Sequence, residues 1–155
     1  MYYTLMRNTH MAEWERTVDV NCKGVLHALA AVVPRILARG RGGHIVAISS
    51  DAGRKVFPGL GVYSASKAFV EFALQALRLE TAGSGLRVTA VQPGNTATEL
   101  LGMSTDREAV EKYGMPSGAR ILHPDDVAEA IVYALRQPEH VAVNEVLIEP
   151  RDEPI

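Results

Sequence analysis

Apolar positions along the chain follow two alternating rhythms. Over residues 12–39, Trp14, Val18, Val20, Val25, Leu26, Leu29, Val32, Val33, Ile36 and Leu37 recur at roughly three and four, the period of a helix. Pro34 lies inside this run, which predicts a kink there or two helices end to end. Gly40-Arg41-Gly42-Gly43 stops it, because glycine tolerates the left-handed turn. Residues 44–49 are short, nearly all apolar and bounded by breakers, the pattern of a strand covered on both faces. Residues 51–60, with Gly53, Pro58 and Gly59, read as a loop. A second helix is predicted over 62–82, with Phe69, Phe72, Ala73, Ala76, Leu77 and Leu79 on its apolar side and Gly83-Ser84-Gly85 as its stop. Residues 87–92 form the next strand, closed by Pro93-Gly94. The long polar stretch 95–122 suggests a substrate loop more than a plain connector. Pro124-Asp125-Asp126 opens a third helix, since proline suits the first turn and carboxylates the positive dipole end. Val127, Ala130, Ile131, Ala134 and Leu135 form its predicted buried stripe, and 146–148 is a last strand. Residues 1–9 carry no regular pattern.

Strands separated by helices of this length imply parallel pairing, hence an α/β doubly wound sheet. Only about 15 residues read as strand, roughly a tenth of the chain, where globular domains average about 20–25%. Three short strands make a poor centre for three long helices, and the pattern alone leaves that deficit open.

Composition narrows the function classes. The 155 residues are 47% hydrophobic and fit one domain. Lys+Arg number 16 against 18 Asp+Glu, a net charge of -2, so neither a basic nucleic-acid face nor a polybasic membrane surface is expected. No apolar run approaches the roughly 20 residues that span a bilayer, and the first residues lack the order of a signal peptide. No nucleic acid and no membrane are expected as partners. Cys22 is the one cysteine, which excludes an internal disulfide framework and a CxxC zinc site. A lone thiol fits a reducing, cytoplasmic setting. The five histidines, at 10, 27, 44, 123 and 140, show no ligand spacing, so no metal is expected.

In a doubly wound sheet, ligands gather at the carboxyl ends of the strands. Ser49-Ser50 follows the first strand, Tyr63 and Lys67 open the next helix, and Pro93-Gly94-Asn95-Thr96-Ala97-Thr98 follows the second strand. Tyr63 and Lys67 are four apart and share a helix face. A free phenol, with a pKa of about 10, is a poor base at neutral pH. A nearby cation favours the phenolate and makes a useful general acid/base. Ser50 can donate a hydrogen bond to a substrate carbonyl. Tyr-x-x-x-Lys by itself reads as an ordinary exposed helix pair, because such spacing is common. Taken singly, Asn21 reads as a cap on a local backbone bend and Thr98 as a helix cap. Trp14 reads as packing, and Cys22 as a small buried residue. Gly59-Leu60-Gly61 lacks the third glycine and the preceding strand of a dinucleotide fingerprint, and Gly40-Arg41-Gly42-Gly43 follows a helix, the wrong side; both read as turns.

Together, Asn21, Ser50, Tyr63 and Lys67 resemble the Asn–Ser–Tyr–Lys tetrad of the short-chain dehydrogenase/reductase family. The strings around them match as well: Val18-Asp19-Val20-Asn21, Gly43-His44-Ile45-Val46-Ala47-Ile48-Ser49-Ser50, Tyr63-Ser64-Ala65-Ser66-Lys67-Ala68 and Arg87-Val88-Thr89-Ala90-Val91-Gln92-Pro93-Gly94. The resemblance implies hydride transfer between NADP or NAD and a small alcohol or carbonyl substrate. Tyr63 would be the acid/base. Lys67 would lower its pKa and hold the nicotinamide ribose, and Ser50 would polarise the substrate oxygen. Asn21 would hold a water linking Lys67 to solvent. Pro93, Gly94, Thr96 and Thr98 would border the nicotinamide. The family often carries Val or Ile where Thr96 stands.

The family's Gly-x-x-x-Gly-x-Gly pyrophosphate turn, its acidic or basic cofactor-selecting residue and its Asn-Asn-Ala-Gly block have no counterpart in these residues. The chain therefore resembles the C-terminal part of a member: a single partial domain over 1–155, an incomplete Rossmann-like sheet whose first strand would be an unpaired edge. The resemblance also implies a homo-oligomer packed through helices 12–39 and 62–82. Asp51-Ala52-Gly53-Arg54-Lys55-Val56-Phe57-Pro58 and the tail Glu149-Pro150-Arg151-Asp152-Glu153-Pro154 look like the NADP-dependent branch that oxidises small 3-hydroxy acids such as serine. Three functions follow: an oxidoreductase, an inactive fragment acting through its helical interface, or a binding module for another ligand. The last has no sequence feature in its favour.

Overall fold

A computed structural model of the chain describes residues 1–114 and 118–153. Three strands, β1 (Gly43–Ile48), β2 (Leu86–Pro93) and β3 (Glu145–Ile148), pair in parallel in the order β1-β2-β3. Ile45 stands opposite Val88 and Ile48 opposite Val91, while Val91 faces Val146 on the other side. Only β2 has neighbours on both sides, and its residues Val88, Thr89, Ala90, Val91 and Gln92 are buried. β1 is an edge, as the incomplete-sheet reading expects, but it is not covered on both faces: its burial is partial and Ile48 is 47% exposed.

The first helical run is built from α1 (Met11–Val18), a π-helical turn at Asp19–Lys23, and α2 (Gly24–Arg39). The irregularity thus falls at Asp19–Lys23 and not at Pro34, through which α2 continues. Lys23 pairs with Asp19 at 2.7 Å across that turn, so both charges are satisfied and the helical path is unbroken. Its continuity qualifies the expectation that no apolar run approaches bilayer length. Within the 29-residue helical path Met11–Arg39 an 18-residue window has a mean hydropathy of 1.3, so by length and composition alone the helix is apolar enough to cross a membrane, although charged residues from Glu13 to Lys23 interrupt its first half. Gly40, at φ 62, ends it, with its N–H donating to the Leu37 carbonyl.

Helix α3 (Gly61–Glu80) packs on the sheet through Val70 and Leu74, which join Val88 and Ala90 in the core, with Val25, Leu29 and Leu77 against them. The stripe expected to be buried is only partly so. Phe72 is 71% and Leu79 74% exposed, because they project from a second apolar face that the described residues leave uncovered.

The polar stretch 95–122 is more ordered than a loop. It holds a 3-10 turn at Glu99–Met103, a short helix α4 (Arg107–Tyr113) and a bridge from Thr96 to Leu122. Asp106 starts α4 by accepting from the Ala109 amide at 3.1 Å. Residues 115–117 of this stretch, and Pro154 of the tail, lie outside the described residues. Helix α5 (Pro124–Leu135) begins with the proline and acids expected, inside a capping box between His123 and Asp126. Of its stripe, Val127 and Ala134 are buried while Leu135 is 44% exposed.

Candidate active site

The carboxyl ends of β1 and β2 open onto a cleft of about 670 Å³. Ser50 leaves β1 in extended conformation (φ -169) and caps the 3-10 turn Asp51–Gly53, accepting from the Ala52 amide at 3.2 Å. Its hydroxyl donates to Asp51 Oδ1 at 2.8 Å. Tyr63 and Lys67 occupy the first two turns of α3, so helix geometry directs both toward the end of β1. Tyr63 is buried and Lys67 partly so. The Lys67 ammonium donates to the Ile48 carbonyl at 3.1 Å and lies 5.7 Å from the centre of the Tyr63 ring. Ser50, Tyr63, Lys67, Pro93, Gly94, Thr96 and Thr98 all line the cleft.

Asn21 does not. It sits in the π-helical turn, and its amide donates to Ser66 Oγ at 2.9 Å; Ser66 Oγ in turn donates to the Tyr63 carbonyl at 2.7 Å. Asn21 therefore braces α3 from behind. Thr96 donates to the Gly94 carbonyl at 2.9 Å and holds the turn after β2. Thr98 takes the N-cap position of Glu99–Met103 without a side-chain capping bond, so its hydroxyl remains on the cleft wall. Cys22 is half-buried, and burial pushes its thiol pKa up, which suits packing over nucleophilic chemistry. Trp14 donates to Thr4 Oγ1 at 2.8 Å, so it packs and also ties down the first residues. Among the described residues, no cluster of His, Cys, Asp and Glu could hold a metal ion.

The electrostatics depart from the sequence expectation. Burial pushes the Tyr63 phenol above its ordinary value; a hydrogen bond with Ser50 pulls it back, and Asp51 and Tyr3 push it further up. The Lys67 ammonium lies over the ring and gives its hydrogen bond to the Ile48 carbonyl, not to the phenol. Burial pushes the Lys67 pKa down, while Glu71 and Cys22 raise it.

Several cleft residues went unread in the sequence. Asp51 stood beside Ser50 and had a local signal. Tyr3, Tyr113 and Glu153 come from distant segments, and nothing in spacing joins them. Glu71 follows Lys67 by one helical turn, and both its carboxylate oxygens are buried without a hydrogen-bond partner.

The sequence model for short chain dehydrogenases matches residues 3–109. The chain is 79% identical over all 155 residues to part of the glycine betaine reductase of Emericella nidulans, of which it covers 12%. It is 42% identical over 146 residues to an uncharacterized oxidoreductase of Listeria monocytogenes, covering 92% of this chain and 58% of that one. Serine dehydrogenase from Escherichia coli superposes with a TM-score of 0.82 at 28% identity, over 100% of this chain and 61% of that structure. The closed form of serine dehydrogenase complexed with NADP+ gives 0.85 at 30% identity, over 99% and 62%. The chain thus spans under two thirds of the length of each of these relatives, as the three-stranded sheet would suggest. With the family match running through β1, β2 and the whole of α3, this chain belongs to the short chain dehydrogenase family.

Proposed function

We propose that the cleft exchanges a hydride between a nicotinamide cofactor and a small alcohol or carbonyl compound, with Tyr63 giving or taking the proton. The observation that carries this reading is the convergence of Ser50, Tyr63 and Lys67 from two elements onto one cleft at the strand ends. The residues present fit the nicotinamide–ribose end of such a cofactor. Lys67 offers a half-buried ammonium for ribose hydroxyls, and Thr98 a hydroxyl near the ring. Gly94 keeps the wall open: a Cβ there would stand 3.1 Å from Pro150 and 3.4 Å from Asp51 Oδ2. When bound, the cofactor supplies or accepts the hydride.

The chain's own groups handle the rest. Ser50 orients the substrate oxygen and stabilises charge that develops on it. Tyr63, kept protonated by burial, is ready as the acid for carbonyl reduction. Asn21 is a positioning residue, acting through Ser66 on the first turn of α3. NADP is favoured over NAD by the serine dehydrogenase complex, whose structure the chain resembles. In the full-length protein, Tyr63→Phe should abolish NAD(P)H-dependent turnover while leaving the circular dichroism spectrum and melting unchanged. Retained turnover removes Tyr63 from this role.

A second reading draws on one further observation. No residue of α2 is buried, and Phe72 and Leu79 of α3 stand bare. These faces suit packing against a second copy, which would make the chain an interaction module whether or not it is active. Sedimentation velocity across a hundredfold concentration range tests this; a monomer throughout removes it.

A further inference from the structure

The Ser50 hydroxyl has one proton, and three groups have a use for it: Asp51, the Tyr63 oxygen and a substrate oxygen. In the structure it goes to Asp51 Oδ1 at 2.8 Å, with the Pro93 carbonyl a distant second acceptor at 3.5 Å. One lone pair of Ser50 Oγ takes the Ala52 amide at 3.2 Å. The other is left for Tyr63, with which Ser50 shares a hydrogen bond. Because the Ser50 proton is on Asp51, the phenol is the donor in that bond. The order of donation therefore runs from Tyr63 to Ser50 to Asp51 and ends on a carboxylate.

Asp51 is fixed where it stands. Its Oδ1 also accepts from the Ala52 amide at 2.6 Å, and its Oδ2 lies 3.4 Å from the place a Cβ on Gly94 would take. The carboxylate is thus held between the turn that follows β1 and the turn that follows β2. Other charges share the cleft. The Lys67 ammonium lies over the Tyr63 ring and is engaged by the Ile48 carbonyl. Glu153 accepts from Asn95 at 3.0 Å and has a further partner. The Met1 ammonium, whose pKa burial and then Lys67 push down, and Lys55 complete the set. Asp51 is the one to which Ser50 donates.

That order bears on the reaction. A phenolate has no proton left to give to Ser50 and needs a donor in return. Ser50 becomes that donor only by turning its proton away from Asp51, and the same turn is needed to meet a developing charge on a substrate oxygen. Resting on the hydride-transfer reading above, we propose that Asp51 is a positioning residue: it holds the single Ser50 proton away from Tyr63, so that Ser50 enters the reaction only by turning from Asp51. The carboxylate survives that turn without being stranded, since it keeps the Ala52 amide. Its charge acts in the same sense as its hydrogen bond. Burial raises the Tyr63 phenol most, and Asp51 and Tyr3 raise it further; Ser50 pulls it down, which requires the proton that Asp51 holds. Asp51 thereby sets the alkaline pH at which Tyr63 gives up its proton.

Ultraviolet titration of the full-length protein, without cofactor or substrate, reads this directly. Subtracting the matching Tyr63→Phe protein from each variant leaves the Tyr63 phenolate alone, because the other titrating groups cancel. In Asp51→Asn the midpoint should fall by about half a pH unit or more, which is about threefold more phenolate at any pH well below it. In a Ser50→Ala background the same substitution should lower the midpoint by well under half as much. The rise of kcat/KM with pH in alcohol oxidation should move with the titration. Asp51→Ser, also neutral, serves as the second variant should Asp51→Asn fail to fold. An unmoved midpoint overturns the proposal outright. An equal fall with and without the Ser50 hydroxyl overturns it too, since Asp51 would then act by charge alone and not through Ser50. If the titration shifts as expected but no alcohol or carbonyl compound is turned over, the hydride-transfer reading fails while the hold of Asp51 on Ser50 stands.

Discussion

Lys67 lies over the face of Tyr63, 5.7 Å from the ring centre, and gives its hydrogen bond to the Ile48 carbonyl, not to the phenol. The two groups of the proposed acid/base pair are therefore adjacent but not joined by a hydrogen bond. The phenol pKa stands above 10.0, mainly from burial, and the ammonium below 10.5 for the same reason.

These directions set a pH profile for the full-length protein. A raised phenol pKa keeps Tyr63 protonated through the neutral range, so carbonyl reduction should be flat there and fall only on the alkaline side. Alcohol oxidation needs the phenolate and should climb with pH over the same range. Initial rates in both directions from pH 6 to 10 check this. A reduction rate that drops tenfold between pH 6 and 8 would show that the bound cofactor turns Lys67 toward the hydroxyl.

Asp106 is the tie between the first residues and α4. It is buried, and it accepts from the Leu5 amide at 2.9 Å, from Asn8 Nδ2 at 3.1 Å and from the Ala109 amide at 3.1 Å. Burial alone would push its carboxyl up. The Leu5, Ala109 and Asn8 donors, with His10 nearby, more than offset this and hold the pKa below 3.8. Because the folded pKa is depressed, the contribution is present above the ordinary aspartate range and is lost as pH falls through the lowered value. Asp106→Ala should cost about 2–4 kcal/mol, since it strands two backbone donors and an amide. Urea unfolding at pH 7 measures the loss. The same variant should show little further destabilisation on acidification, where the parent shows more.

The residues read most readily in the sequence are those that sit in continuous motifs. Ser50, Tyr63 and Lys67 were legible because a strand end and a helix start fix their spacing, and all three reach one cleft. Strands β1 and β2 were legible because breakers bound them. The placement of Tyr3, Tyr113 and Glu153 on the same cleft was not, since they meet it only through the folded loops around Gly59 and Asn95. The π-helical turn at Asp19–Lys23 was equally hidden: one extra residue in a helix leaves the apolar rhythm nearly unchanged, and Pro34 drew the expected break to the wrong place. Asn21, singled out for its place in the motif, lies in that turn, and its side chain braces Ser66 and does not line the cleft.

Two positions on α3 separate core from surface. Leu74 is 0% exposed and packs with Val70, Val88 and Ala90, whereas Phe72 is 71% exposed. Leu74→Ala should destabilise by about 2–5 kcal/mol, combining lost transfer energy with a cavity. Phe72→Ala should stay within about 0.5 kcal/mol in dilute monomer. Should the bare face pack against a second copy, Phe72→Ala will instead weaken self-association, visible as a shift of sedimentation toward the monomer. Equal losses for both variants would mean that Phe72 is covered within the chain.

Cofactor affinity separates what this cleft supplies from what it leaves to other residues. Lys67, Thr98 and the Pro93-Gly94 turn can hold the ribose and ring, but tight binding of a dinucleotide also needs backbone amides around its pyrophosphate, supplied elsewhere by a glycine-rich turn at a helix N-terminus. Among residues 1–155 no such turn follows a strand. Glycines 40, 42, 59, 83 and 85 lie at positive φ in ordinary turns, and Gly42 and Gly85 pack directly on each other. The 155-residue chain should therefore bind NADP+ or NAD+ weakly, with a dissociation constant of millimolar order, corresponding to about -4 kcal/mol. Calorimetric titration of the purified chain with each dinucleotide measures this directly. Micromolar or tighter binding would mean that the ribose-and-ring contacts suffice, and that the pyrophosphate cradle adds little to affinity.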